Sequence, residues 1–265
     1  MDVIILKDSD AVAAAGAARV LEVLGQKTNA VFGLATGRTP LAMYKQLIAG
    51  SRAAGLSFRD VTTFNLDEYL GLQPGDAQSY RAYMQRELFD HVDINPNNTF
   101  LPECGAGVDP LEIGPTYEAL IRSRGGIDLQ VLGIGSNGHI GFNEPTSSLS
   151  SRTRIKTLTR ETVLANRKYF ADAAVQPSTA ITMGIATIMD ARHIVLLATG
   201  SHKAQAVGQL VEGPVSAMWP ASILQLHEKV TVLLDEEAAS ALSLRDYFAW
   251  VAEQKRALSD SLEDD

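Results

Sequence analysis

The chain predicts an α/β fold, an open and mostly parallel sheet with helices on both faces, doubly wound in the Rossmann manner. Short β-branched runs alternate with longer segments of helical period. Several of the runs lack polar alternation, as expected for central strands buried on both faces. Pro and Gly punctuate the chain singly, as at Gln73-Pro74-Gly75-Asp76 and Asn95-Pro96-Asn97-Asn98, and never as a long linker. Residues 1–258 therefore read as a single domain, and 259–265 as an acidic tail that frays.

In order, the strand runs are Val3–Leu6, Ala30–Ala35, Val61–Leu66, Asp128–Ile134, Arg154–Leu158, His193–Ala198 and Val230–Leu234. Between them, Asp10–Gly25, Pro40–Ala54, Gln78–His91, Pro115–Arg124, Ser201–Val211 and Leu242–Arg256 have helical spacing. One motif recurs: Leu34-Ala35-Thr36-Gly37 and Leu197-Ala198-Thr199-Gly200 each end a strand and open a helix.

At 265 residues and 46% hydrophobic content, the chain can bury a sizeable core. A net charge of −8 argues against a nucleic-acid surface. The apolar run at the amino terminus is too short for a signal sequence, and no apolar stretch is long enough for a bilayer span, so no membrane partner is expected. A single cysteine, Cys104, leaves no internal disulfide and no Cys-rich metal site, which fits a cytoplasmic location.

Ligands of open α/β sheets bind beyond the carboxyl ends of the strands, and four such places stand out. Thr36-Gly37-Arg38-Thr39-Pro40 combines a glycine, a hydroxyl and a proline suited to a first helical turn, so its amides offer an anion site. Thr199-Gly200-Ser201-His202-Lys203 has the same design plus a cation; tight turns and helix caps are the plainer explanation of either loop alone. Phe64-Asn65-Leu66-Asp67-Glu68-Tyr69 runs an apolar strand into two acids. Neighbouring side chains of an extended segment diverge, so one carboxylate can enter a pocket while the other makes a structural contact. Asp67 is then a candidate general base, or else a turn acid.

The fourth place, Leu132 to Pro145, has four glycines within nine residues, from which Asn137, His139, Asn143 and Glu144 project. His139 and Glu144 can meet, giving a histidine oriented by a carboxylate. With no second His or Cys nearby, a metal site is disfavoured.

Together these blocks resemble the glucosamine-6-phosphate deaminase family: Leu-Ala-Thr-Gly-Arg-Thr-Pro at 34–40, Phe-Asn-Leu-Asp-Glu-Tyr at 64–69, Leu-Gly-Ile-Gly-Ser-Asn-Gly-His-Ile-Gly-Phe-Asn-Glu-Pro at 132–145 and Gly-Ser-His-Lys at 200–203. The resemblance covers nearly the whole chain. It implies conversion of D-glucosamine 6-phosphate and water to D-fructose 6-phosphate and ammonia, without a cofactor. It gives His139 the ring-opening proton transfer, with Asn137 and Glu144 orienting it, and Asp67 the C2 proton. Phosphate would be held by Gly37, Arg38, Thr39, Lys203 and a cation of the helix beginning near Thr159. Where many relatives carry Arg the aligned residue is Lys168, with Arg167 beside it, and either could make that contact.

Ser147, Arg154 and Lys156 match positions that form a site for N-acetylglucosamine 6-phosphate between subunits of hexameric relatives. A homohexamer with that activator is the expected assembly; Arg154 and Lys156 as mere solvated strand charges are the alternative. A 6-phosphogluconolactonase-like hydrolase would not need the Asp67-Glu68 pair. A non-catalytic sugar-phosphate sensor would be expected to carry a helix-turn-helix, for which there is no room ahead of Val3.

Overall fold

The computed structural model describes residues 1–72, 75–103, 108–167, 170 and 176–263, with 256 and 259–263 as backbone only. Cys104 and Lys168 lie outside the described residues. The chain forms β1 (Asp2–Leu6), α1 (Ser9–Gln26), β2 (Val31–Leu34), α2 (Arg38–Ala54), β3 (Thr62–Asn65), β4 (Asp67–Tyr69), α3 (Tyr80–Glu87), β5 (Thr99–Phe100) and α4 (Pro110–Ser123). It continues through β6 (Leu129–Gly133), β7 (Arg154–Thr157), α5 (Arg160–Asn166), β8 (Thr179–Thr182), α6 (Ile185–Met189), β9 (Ile194–Ala198), α7 (Ala204–Val211), β10 (Val230–Asp235) and α8 (Arg245–Glu263).

Seven strands form one parallel sheet in the order β1-β10-β9-β6-β2-β3-β5. Its sides are buried separately, which explains the missing polar alternation. In β9, Ile194, Leu196 and Ala198 join a cluster with Ile121, Ile188 and Leu210, while Val195 and Leu197 join another with Val12, Met43 and Leu47. Helices α4, α6 and α7 thus cover one face and α1 and α2 the other. Burying a large aliphatic side chain contributes about 1.5–3 kcal/mol, so these two layers dominate the fold.

The helices start and stop for local reasons. Asp8 caps α1 by accepting from Ala11 N at 2.8 Å, and α2 ends at Gly55, whose φ is 64°. The segment expected to be helical over 78–91 is α3 followed by a 3-10 turn at Phe89–His91. Helix α8 continues to Glu263, into the stretch from residue 259 that was expected to be an acidic tail.

The run expected as a strand at 154–158 is extended over Arg154–Thr157 but belongs to a second, antiparallel sheet in the order β4-β8-β7. This small sheet lies across one cross-strand row: Thr182 of β8 pairs with Asp67 of β4 on one side and with Arg154 of β7 on the other.

Helix α4 packs so closely on the start of β7 that a Cβ on Gly114 would lie 2.2 Å from the Thr153 carbonyl oxygen. Intrinsic propensity would favour alanine there by up to about 1 kcal/mol, but overpacking against a main-chain atom costs about 1–3 kcal/mol. Gly114→Ala is therefore expected to lower the unfolding free energy in urea titrations, and a stabilised variant would contradict this packing.

Candidate active site

Strand order runs outward from β2 through β3 to β5, then reverses from β6 through β9 and β10. The crevice beyond the carboxyl ends of β2 and β6 is therefore a topological switch point, the place where such sheets bind ligands.

After β2, Gly37 caps α2 with φ 110° and no side-chain hydrogen bond, so the first-turn amides of a 17-residue helix are left for a ligand. The loop carbonyls are pinned from behind: Tyr44 OH donates to Ala35 O and Tyr83 OH to Gly37 O, both at 2.6 Å. Arg38 and Thr39 line a surface cavity of about 550 Å³ with Gly200 and His202, together with Asp8, Asp235, Glu236 and Glu237. Four carboxylates outnumber the two cations of its lining, Lys7 and Arg38, which makes that cavity a poor home for phosphate, so the amides of 37–39 are the anion-competent part of this loop.

The second loop uses its amides within the fold. Gly200 N donates to both oxygens of Asp235, at 3.0 and 2.9 Å, and Ser201 N donates to Glu237 Oε2 at 3.2 Å. Those amides are occupied, and the helix opens as a 3-10 turn. Of the groups expected to meet phosphate in this segment, only the Lys203 side chain remains a candidate; its partial burial pushes the ammonium pKa down, so a nearby anion would be welcome.

Beyond β3, Asp67 and Glu68 diverge as extended neighbours must. Glu68 turns to structure: Oε1 accepts from Tyr69 N and Tyr80 N, and Oε2 from Arg81 N, which caps the start of α3. Asp67 is 6% exposed, and burial together with the Glu68 charge pushes its pKa from 3.8 to about 8. A carboxylate held so unfavourably is a stronger base.

The loop after β6 reaches Asp67. A Cβ on Gly141 would lie 2.9 Å from Thr182 Oγ1 and 3.4 Å from Asp67 Oδ2, so glycine lets the loop turn close against the acid. A side chain at Gly135 would strike the His139 ring, its nearest atom at 2.3 Å, so the imidazole lies flat over that residue. His139 Nδ1 is 3.3 Å from Glu144 Oε2, an ion-pair distance without hydrogen-bond alignment. Asn137 joins them: Oδ1 accepts from His139 N at 3.2 Å and Nδ2 donates to Glu144 Oε2 at 2.8 Å. Burial would raise the Glu144 pKa, yet His139, Thr162 and Asn137 together hold it down at about 2.

Several contributors were invisible in the sequence. Tyr80 is linked to Thr36 of the first loop and lies 3.4 Å, oxygen to oxygen, from Tyr69; its ring stacks on Phe142 at 6.1 Å. Thr182 Oγ1 accepts from Phe142 N at 3.0 Å. The pairing of β4, β8 and β7, which no local pattern announces, is what assembles these groups.

Of the remaining expected residues, Arg167 follows α5, and its Nη1 is buried without a hydrogen-bond partner among the described residues, as an anion ligand would be. Ser147 is 2% exposed and its Oγ is likewise unpartnered. Arg154 is no solvated strand charge: it donates to Asn143 Oδ1 at 2.9 Å, beside Glu144, and burial lowers its pKa. Lys156 lies half-buried two residues on. Among the described residues no three His, Cys, Asp or Glu side chains converge as metal ligands would, and no helix is long and apolar enough to cross a membrane.

Fold and site define an α/β enzyme with an acid–base crevice at the switch point of a parallel sheet. Comparisons with known proteins agree. The family of glucosamine-6-phosphate isomerases and 6-phosphogluconolactonases matches over residues 7–233. A glucosamine-6-phosphate deaminase from Colwellia psychrerythraea is 55% identical over 254 residues, covering 96% of this chain and 95% of that protein. The solved structure of a monomeric glucosamine-6-phosphate deaminase superposes with a TM-score of 0.87 at 45% identity, covering 91% of this chain and 100% of the other. A 6-phosphogluconolactonase from Trypanosoma cruzi shares the fold, with a TM-score of 0.73 at 19% identity over 91% of this chain and 97% of its own. The chain belongs to the glucosamine-6-phosphate isomerase and 6-phosphogluconolactonase family.

The displaced Asp67 pKa has a consequence for stability. Its folded value, about 8, lies above the ordinary 3.8, so between these values the folded state binds more protons and stability falls as pH rises. Asp67→Asn removes this liability. The melting temperature of the variant minus that of the wild type is expected to grow from about pH 5 to about pH 9; a difference independent of pH would show that Asp67 is not held protonated.

Proposed function

We propose that the chain converts D-glucosamine 6-phosphate and water into D-fructose 6-phosphate and ammonia, as a cytoplasmic hydrolase of amino-sugar breakdown. The observation that carries this reading is the meeting, around Gly141, of a buried high-pKa carboxylate, Asp67, with a loop bearing the His139–Glu144 pair. Deaminases 55% and 45% identical to this chain support the substrate.

The chemistry divides between the two groups. An imidazole can accept a proton at one nitrogen and give it up again, which suits transfer between ring and hydroxyl oxygens, and His139 opens the sugar ring in this way. Asn137 and Glu144 orient it. Asp67 takes the C2 proton, giving an enolamine, and returns it at C1; the resulting C2 imine adds water and expels ammonia. Oxidation states balance within the sugar, so no redox cofactor enters. The amides of Gly37, Arg38 and Thr39 hold the phosphate together with Lys203 and one cation of the Arg167–Lys168 pair; Arg167 is favoured because its buried Nη1 has no hydrogen-bond partner among the described residues.

Purified wild type should release ammonia from glucosamine 6-phosphate, with kcat/KM rising as pH increases through about 8, where Asp67 loses its proton. Asp67→Asn should lose about 10²–10⁴ of that rate, the usual worth of a general base. Hydrolysis of 6-phosphogluconolactone without ammonia release would reject the reading.

The regulatory reading belongs to the same proposal: Ser147, Arg154 and Lys156 take N-acetylglucosamine 6-phosphate between subunits of a homohexamer. Its support is the unpartnered Ser147 Oγ and the direct bond from Arg154 to Asn143. Light scattering should give the mass of six chains, and sigmoidal kinetics should become hyperbolic with the effector. A monomer, or hyperbolic kinetics indifferent to the effector, would sink it.

A further inference from the structure

Glu144 has two carboxylate oxygens, and only one of them faces His139. Oε2 lies 3.3 Å from His139 Nδ1 and accepts from Asn137. Oε1 turns toward α5, where Thr162 Oγ1 donates to it at 2.5 Å. Behind Thr162 stands Thr159, the helix cap: its Oγ1 donates to Thr162 Oγ1 at 3.1 Å and accepts from Thr162 N at 3.2 Å. A hydroxyl has one proton, and Thr159 is 3.5 Å from Glu144 Oε1, so Thr162 is the group that satisfies that oxygen.

We propose that Thr162 is a positioning residue of the ring-opening step, holding Glu144 Oε1 on α5 so that Oε2 stays aimed at His139. The proposal rests on the role given above to the His139–Glu144 pair. The last torsion of a glutamate is broad and nearly two-fold, so a carboxylate tethered through one oxygen would turn and blur the aim of the other. Glu144 is 2% exposed and Thr162 6%, which leaves little room for water to replace the missing donor. The aligned hydroxyls also polarise one another, strengthening the final bond to the carboxylate. Thr162 is among the groups that hold the Glu144 carboxyl low.

The far end of the helix is tied as well. Asn166 Nδ2 donates to Tyr69 OH at 3.0 Å, two residues from Asp67. Docking of α5 thus fixes both halves of the site, the histidine half through Thr162 and the carbon-base strand through Asn166.

Thr162→Val keeps the side-chain shape and removes the hydroxyl; Thr162→Ser restores it. An orphaned buried oxygen predicts a fall in kcat of about tenfold or more for Thr162→Val, with KM changed less than about twofold and Thr162→Ser within about threefold of wild type. Inhibition by a linear amino-hexitol 6-phosphate, which has no ring to open, should be unchanged. Thermal melts by circular dichroism check that each variant folds, and Thr162→Ala serves if the valine variant does not. Wild-type kcat in Thr162→Val, alongside a large loss in Glu144→Gln, would overturn the proposal alone. So would equal losses of kcat and of inhibitor affinity, which mark a general collapse of the site. Full activity in Glu144→Gln would overturn the reading of the pair itself, and the role of Thr162 with it.

Discussion

The site depends first on a constraint of connectivity. Strands β2 and β6 lie side by side and parallel, yet the chain leaves them toward opposite edges of the sheet, so no crossover fills the space above their carboxyl ends. Into that space fall the bare helix start after β2 and the glycine-rich turn after β6, and Asp67 arrives from β3, the neighbour of β2. The two hydrophobic layers hold these strands rigid, which gives the loops a fixed frame.

Within the crevice, environment separates two carboxylates of similar chemistry. Asp67, buried next to Glu68, is pushed up to about 8; Glu144, with only 2% of its surface exposed, is held at about 2 by the donors around it. Groups whose pKa values are driven apart are the ones whose roles differ. Asp67 is suited to gaining and losing a proton near neutral pH. Glu144, its pKa held low, is suited instead to staying charged 3.3 Å from His139.

Much of this was legible from residues whose meaning is local. Unbroken apolar runs marked the central strands, and the rule that ligands sit after strands pointed to 36–40, 64–69 and 132–145. The divergence of Asp67 and Glu68 followed from the alternation of an extended chain. What lay hidden depends on distant partners. The Thr199-Gly200 loop matches Thr36-Gly37 in sequence, but its amides are taken by Asp235 and Glu237, some 35 residues on. Strands β4 and β5 are too short, at 3 and 2 residues, to show a period. Thr162 looks like any threonine in a first helical turn until Glu144 is found beside it.

The central claim is that one group opens the ring and a different group moves the carbon-bound proton. The most direct test is the kinetic isotope effect on kcat with glucosamine 6-phosphate deuterated at C2, measured for the wild type and for His139→Gln. If His139 serves only ring opening, its loss makes that step limiting, and the isotope effect of the variant falls toward unity. An effect that persists undiminished or grows in His139→Gln would place the histidine at the carbon, and would contradict the division of labour between His139 and Asp67.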